Sequence, residues 1–137
     1  MNYRLMTHED YNAVFEFWQD IEGISLSDSD TNYNTQSFLL QNDGLCFMCE
    51  ENGEIIGTIL CGNDGRRGYI HHLAVKFEYR NQGIGTILID LSLSALSAIG
   101  IKKCHLFVLQ KNGSAKAFYE NIGWTKRDDI VLFSKDI

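Results

Sequence analysis

A chain of 137 residues, 45% of them apolar and 22% charged, suits one globular domain spanning 1–137 with a sizeable core. Its net charge of -6 and pI of about 5.1 argue against nucleic acid as the main partner, because binders of phosphate backbones present a basic face. No run approaches the roughly 18 apolar residues that span a bilayer, and Met1 to Thr7 lacks a secretory apolar stretch, so no membrane partner is expected and the expected location is the cytoplasm.

Tyr3 to Met6 reads as a short strand. Thr7 followed three residues later by Asp10 is a capping-box pattern, and Tyr11, Val14, Phe15 and Trp18 then repeat at helical spacing. Ser25 to Asn32 reads as a polar surface loop, and Thr35 to Gln41 as a second short helix. Leu45 to Cys49 and Glu54 to Cys61 are strands joined by Asn52-Gly53, a pair suited to a turn with two positive φ angles. Asn63-Asp64-Gly65 makes the next turn, and Tyr69 to Val75 the next strand.

A glycine-rich loop, Arg80-Asn81-Gln82-Gly83-Ile84-Gly85, then opens a helix. Its expected apolar stripe is Ile84, Ile87, Leu88, Leu91, Ala95, Ala98 and Ile99, with Gly100 as its stop. Cys104 to Leu109 reads as a strand, Ser114 to Asn121 as a helix, and Trp124–Lys126 with Ile130–Phe133 as a closing hairpin. The order β, α, α, β, β, β, α, β, α, β, β predicts a mixed α/β sandwich rather than a doubly wound parallel fold. Cys46, Cys49, Cys61 and Cys104 lie in apolar, strand-like segments and read as buried thiols. Cys46 and Cys49 form a C-x-x-C without a second pair, so no metal is expected.

A strand, a glycine turn and a helix start together make a device for binding phosphates. Glycine lets the backbone approach closely, and the first helix amides point outward at the positive end of the dipole. Arg80 and Thr86 are candidates for added contacts. No Lys-Ser or Lys-Thr follows the glycines, and Gly83-Ile84-Gly85 is followed by Leu88 where a dinucleotide fingerprint has Gly, so both familiar phosphate loops fit poorly. Taken alone, the loop is equally well an ordinary strand-to-helix turn.

The segment Leu73 to Gly85 resembles the R/Q-x-x-G-x-G/A block of the GCN5-related N-acetyltransferase superfamily. Asn112-x-x-Ala115-x-x-Phe118-Tyr119-Glu120-x-x-Gly123-Trp124 resembles its second block, in the expected order. The resemblance covers nearly the whole chain. It implies an acyl-CoA N-acyltransferase fold: a mixed, mostly antiparallel sheet of six or seven strands with about four helices. It implies acetyl-CoA as cosubstrate and a primary amine as acceptor. Direct attack of the amine in a ternary complex is the expected route; an acetyl-CoA sensor without turnover and a nucleotide binder are the alternatives. Members of this superfamily often dimerise, so a homodimer is among the expectations. Phe77 stands where the family often has Pro, and Leu106-Phe107-Val108 lacks the Glu common in enzymes that acetylate ribosomal N-termini.

By the same resemblance, Leu73, Ala74 and Val75 line the cofactor's arm, and Arg80, Asn81, Gln82, Gly83, Ile84, Gly85 and Thr86 hold its pyrophosphate. Asn112 matches a cofactor-contacting residue and suits equally the cap of the helix that follows. Tyr119 matches the general acid, with simple packing as the alternative. His71 is the candidate base because histidine titrates near neutrality, with a packed histidine or a water relay as alternatives. Strand alternation groups Tyr69, His71, Leu73 and Val75 on one face and sends His72 to the other, as a structural residue. Acceptor choice is expected from Trp18 to Tyr33, which carries Asp20, Glu22, Asp28 and Asp30; a solvated acidic loop is the simpler reading of those charges.

Overall fold

The computed structural model describes residues 1–21 and 24–137. They fall into two compact units, Met1–Phe107 and Val108–Ile137. In the first, strands β1 (Asn2–Leu5), β2 (Phe47–Glu51), β3 (Glu54–Asn63), β4 (Gly68–Val75) and β5 (Cys104–Leu106) form one sheet in sequence order. Neighbours are antiparallel except β4 and β5, which run parallel. Helices α1 (Tyr11–Gln19), α2 (Asn32–Gln41) and α3 (Ile84–Ala98) belong to this unit, and α4 (Gly113–Asn121) to the second. This is the expected mixed, mostly antiparallel α/β fold. Among the described residues, no helix is long and apolar enough to cross a membrane.

Local chemistry explains most element boundaries. The Thr7 N–H donates to the Asp10 carboxylate at 2.8 Å, and a single 3-10 turn leads into α1. Asn52 and Gly53 take φ of 52° and 80°, the geometry that a two-residue hairpin requires. Helix α2 starts earlier than the apolar pattern suggests, at Asn32. The Thr31 hydroxyl caps it by accepting the Asn34 N–H at 3.3 Å, so the polar stretch read as loop holds a 3-10 turn at Asp28–Asp30 and a helix start.

Helices α1 and α2 cover one face of the sheet. Trp18, Val14 and Leu39 pack there with Cys46, Met48, Leu60 and Ala74. The indole N–H of fully buried Trp18 donates to Thr58 Oγ1 at 3.0 Å, so its burial leaves no donor unpaired. Helix α3 covers the other face, where Ile84 and Leu88 approach Gly57. Its buried stripe is Ile84, Leu88, Ile89, Ser92 and Leu96, rotated from the expected one; Ile87, Ala98 and Ile99 are exposed. The reason is Ser92. Its hydroxyl donates to the Leu45 carbonyl at 2.7 Å, so a polar side chain occupies the centre of the packed face. The four cysteines are free thiols; Cys46, Cys49 and Cys61 are buried, and Cys104 is partly so.

Among the described residues the sheet has five strands, not the expected six or seven. Residues 124–137 form no helix or strand, so the closing hairpin is absent. A strand exists through a partner's ladder, and local apolar content cannot replace it. Here Ile130 to Phe133 are all exposed, and Arg127 is tied to Asp129 two residues on by two hydrogen bonds of 2.8 Å.

Close packing leaves no room for a side chain at Gly62. A Cβ on Gly62 would lie 2.6 Å from Phe38 Cζ and 3.1 Å from Asn42 Cγ. Gly62→Ala is expected to cost about 1–3 kcal/mol, as overpacking does, read as a lower urea midpoint at unchanged slope. An unchanged midpoint would show that Phe38 swings aside freely.

Candidate active site

Strand β4 is the centre of the site. Its register with β3 pairs Leu60 with His72 and Cys61 with Ile70, which leaves His71 as the extra residue of a β-bulge. A bulge sets two residues against one and breaks the alternation of side chains. The His71 ring therefore meets Phe38 of α2 edge-on at 5.4 Å, while the His72 ring meets Trp18 of α1 at 4.9 Å. Both histidines face the α1 and α2 side. This corrects the expectation that they point to opposite faces. It also corrects the grouping of His71 with Leu73 and Val75: Val75 pairs with Gly57, whose face meets α3, and Leu73 lies two residues before it.

Tyr69 lies roughly parallel to the His71 ring at 6.4 Å. His71 keeps an exposed side, but partial burial and the neighbouring His72 hold its pKa below the ordinary 6.5, with Asp30 opposing. His71 is neutral at pH 7 and can accept a proton. His72 is different. Its Nε2 lies 2.7 Å from Asp30 Oδ1, and both side chains are nearly buried. Asp30 is thus committed inside the protein and is not part of an acidic mouth. Asp20 and Asp28 are exposed, and Glu22 lies outside the described residues.

Strand β5 pairs with β4 only at Gly68–Ile70. From His71 to Val75, among the described residues, β4 has a strand neighbour on the β3 side alone. The Lys76 N–H donates to Ile56 of β3 at 2.8 Å, so by alternation Ala74 also turns to β3, while Leu73 and Val75 turn their N–H and C=O to the open edge. Arg80 Nε donates to the Val75 carbonyl at 3.0 Å, and its guanidinium lies 5.7 Å from the Phe77 ring centre. Among the described residues, no hydrogen-bond partner meets the backbone groups of Leu73 on this edge.

The glycine loop leads from this edge into α3. Asn81 and Gly83 take left-handed φ of 63° and 83°. Gln82 reaches back to the Glu78 carbonyl at 3.5 Å. No side chain caps α3, and the first bond at its start is Ile87 N–H to Gly83 C=O at 3.0 Å. The amides of Ile84, Gly85 and Thr86 precede that bond and are free for an anion. The Ile84 side chain is buried and anchors the turn. A Cβ on Gly83 would meet nothing within 4 Å, so the loop surface is open. An open strand edge followed by outward amides fits an extended amide-bearing arm that ends in phosphates.

In the second unit, Asn112 caps α4. Its Oδ1 accepts from the Ala115 N–H and the Ser114 hydroxyl, both at 3.1 Å, and among the described residues its NH2 group has no partner. Tyr119 packs against Phe118 and Trp124 at ring distances of 5.1 and 5.9 Å, and burial pushes its phenol up to about 12. It stays protonated across the physiological range.

The profile of the Acetyltransferase (GNAT) family matches residues 7–124. The chain belongs to the acetyltransferase (GNAT) family. As a GNAT protein it is an acyltransferase, and its relatives agree. It is 30% identical to an acetyltransferase of Pectobacterium atrosepticum over 96% of this chain and 93% of that one. It is 29% identical to one of Sodalis glossinidius, over 98% and 94%. The fold superposes on the PaiA N-acetyltransferase of Thermoplasma acidophilum, solved with coenzyme A, with a TM-score of 0.81 at 19% identity, over 93% of this chain and 91% of that chain. It also matches an aminoglycoside acetyltransferase from an uncultured soil sample, solved with sisomicin, with a TM-score of 0.75 at 20% identity, over 99% and 95%.

Sequence reasoning missed Phe38, Trp18 and Asp30 as neighbours of the two histidines. One signal was available. Ser27 and Asp30 have capping-box spacing, and the Ser27 N–H does donate to Asp30 Oδ2, at 2.9 Å.

Proposed function

We propose that this GNAT protein transfers the acetyl group of acetyl-CoA to a primary amine, with direct attack in a ternary complex. The observation that carries the reading is the open edge of β4 at Leu73, continuous with the uncapped start of α3. Leu73 would pair with the cofactor's arm through its backbone. The amides of Ile84, Gly85 and Thr86, in a loop shaped by Gly83, would hold the pyrophosphate. Arg80 would keep a free guanidinium edge toward it, since only its Nε is bonded to protein. Asn112 would offer its unbonded NH2 group. Acetyl-CoA supplies the acetyl group as a thioester already activated toward amines.

His71 would remove the ammonium proton and Tyr119 would return one to the departing thiolate. The family match spans both compact units, which supports reading 1–137 as one transferase domain. One solved neighbour is an aminoglycoside acetyltransferase and shares only 20% identity with this chain, so the acceptor is left at the level of a primary amine.

The test is calorimetric titration of acetyl-CoA, with ATP as comparison, followed by thiol release with an aminoglycoside, spermidine and a peptide α-amine. Micromolar acetyl-CoA binding with amine-dependent thiol release is expected. Tight acetyl-CoA binding without release from any amine would favour the sensor instead. The pH profile follows from the lowered pKa of His71. Its base form gains population as pH rises through that value, so kcat/KM should rise with pH below 6.5 and level off above. His71→Gln should flatten that limb, and a limb that persists would move the base elsewhere.

A further inference from the structure

We propose that Asp30 and His72 are a positioning pair for the acceptor side of the site: together they fasten the Ser27–Thr31 turn to β4 and so set the ring of His71. The proposal rests on the reading of His71 as base. Asp30 is 4% exposed, and both of its carboxylate oxygens are used. Oδ1 meets His72 Nε2 at 2.7 Å, and Oδ2 accepts the Ser27 N–H at 2.9 Å. The buried hydroxyl of Tyr11, on α1, donates to the Asp30 backbone carbonyl at 3.1 Å. Trp18 backs the His72 ring and is itself fixed to Thr58. The turn is therefore held at α1 and at β4.

Two routes lead from the pair to His71. One is covalent, because His71 is the bulged residue directly before His72. The other runs through α2. Thr31 follows Asp30 and caps that helix, and Phe38 on it meets the His71 ring at 82°. A buried carboxylate paired with one side chain 42 residues away gives a single docking geometry, because any other leaves a charge unpaired in the interior. The titratable groups near His71 are then His72, Asp30 and Tyr69, with the His105 ring tilted against Tyr69 at 5.8 Å. Nothing in this network needs the cofactor, so it can be tested without an acceptor.

The experiment compares His72→Gln, which keeps an N–H donor for Asp30, with His72→Leu, which keeps bulk and removes the donor. Asp30→Asn is the third variant. Amide exchange over 27–38 and the nuclear Overhauser effect between the Phe38 and His71 rings are read in each. In His72→Leu and Asp30→Asn, exchange is expected to rise about tenfold or more over 27–38 and the Overhauser effect to vanish, with β1–β3 unchanged. His72→Gln should restore both. Equal exchange and an undiminished Overhauser effect in His72→Leu would overturn the proposal, as would His72→Gln behaving like His72→Leu. Should Asp30→Asn fail to fold, the Gln and Leu pair still decides. Failure of His71→Gln to change the rate would sink the base reading while leaving these results intact.

Discussion

Tyr119→Phe is expected to slow acetyl transfer about 100-fold or more and to leave acetyl-CoA affinity unchanged. General acid catalysis contributes roughly 10²–10⁴-fold, so removing the acid should cost at least the lower figure. The substitution removes one oxygen and keeps the ring. Tyr119 meets Phe118 and Trp124 through its ring, so that packing survives. Among the described residues the phenol makes no hydrogen bond that the substitution would remove, and stability should stay within about 0.5 kcal/mol. Burial raises the phenol's pKa because the charged form is disfavoured. The group thus stays protonated at neutral pH, the form that the proposed acid role requires. The measurement is kcat from thiol release together with Kd from calorimetry. A rate within threefold of the parent would mean that Tyr119 only packs α4. Equal losses in rate and affinity would instead place the hydroxyl in cofactor binding.

How far the sequence could go depends on the range of each interaction. Tyr11, Val14 and Trp18 show α1 through their spacing, and all three are buried as that spacing demands. Asn52-Gly53 shows its hairpin because the turn is set by those two residues alone. The glycine loop likewise announces the start of α3. Ser92 is the contrary case. Its hydroxyl finds a partner 47 residues away, at Leu45, and no local rule signals that. The bulge at His71 is a property of the register between β3 and β4. One strand's sequence does not contain it, so alternation misplaced the histidines. Ile130 to Phe133 erred in the opposite direction, because apolar content suggested a strand where no partner ladder exists. The proposed cofactor side is a local loop, so its turn into α3 could be read from adjacent residues. The proposed acceptor side draws on α1, α2 and β4, and its contacts could not be read that way.

Gly83→Asp is expected to raise the Kd for acetyl-CoA at least about 100-fold, whereas Gly83→Ala should raise it only severalfold. The two substitutions share one cost. Gly83 has φ of 83°, and an L-residue there is strained by roughly 1–2 kcal/mol. Neither meets a steric barrier, because no atom lies within 4 Å of a Cβ at this position. They differ in charge. The carboxylate would stand at the N-cap of α3, where it satisfies the free amides that the pyrophosphate would otherwise use. It would also repel the phosphates. Two unit charges about 4 Å apart interact by about 4 kcal/mol at an effective dielectric constant near 20. A loss of about 3 kcal/mol in binding already exceeds 100-fold. The same carboxylate favours the helix, so the folded state should tolerate it and the Tm should change little. Calorimetry on both variants separates the readings. Loss in Asp with retention in Ala identifies an anion site. Equal, small effects in both would mean that the loop is only a turn and that the cofactor binds elsewhere. Equal, large effects would trace the defect to backbone strain, and the phosphate assignment of Gly83 would fail.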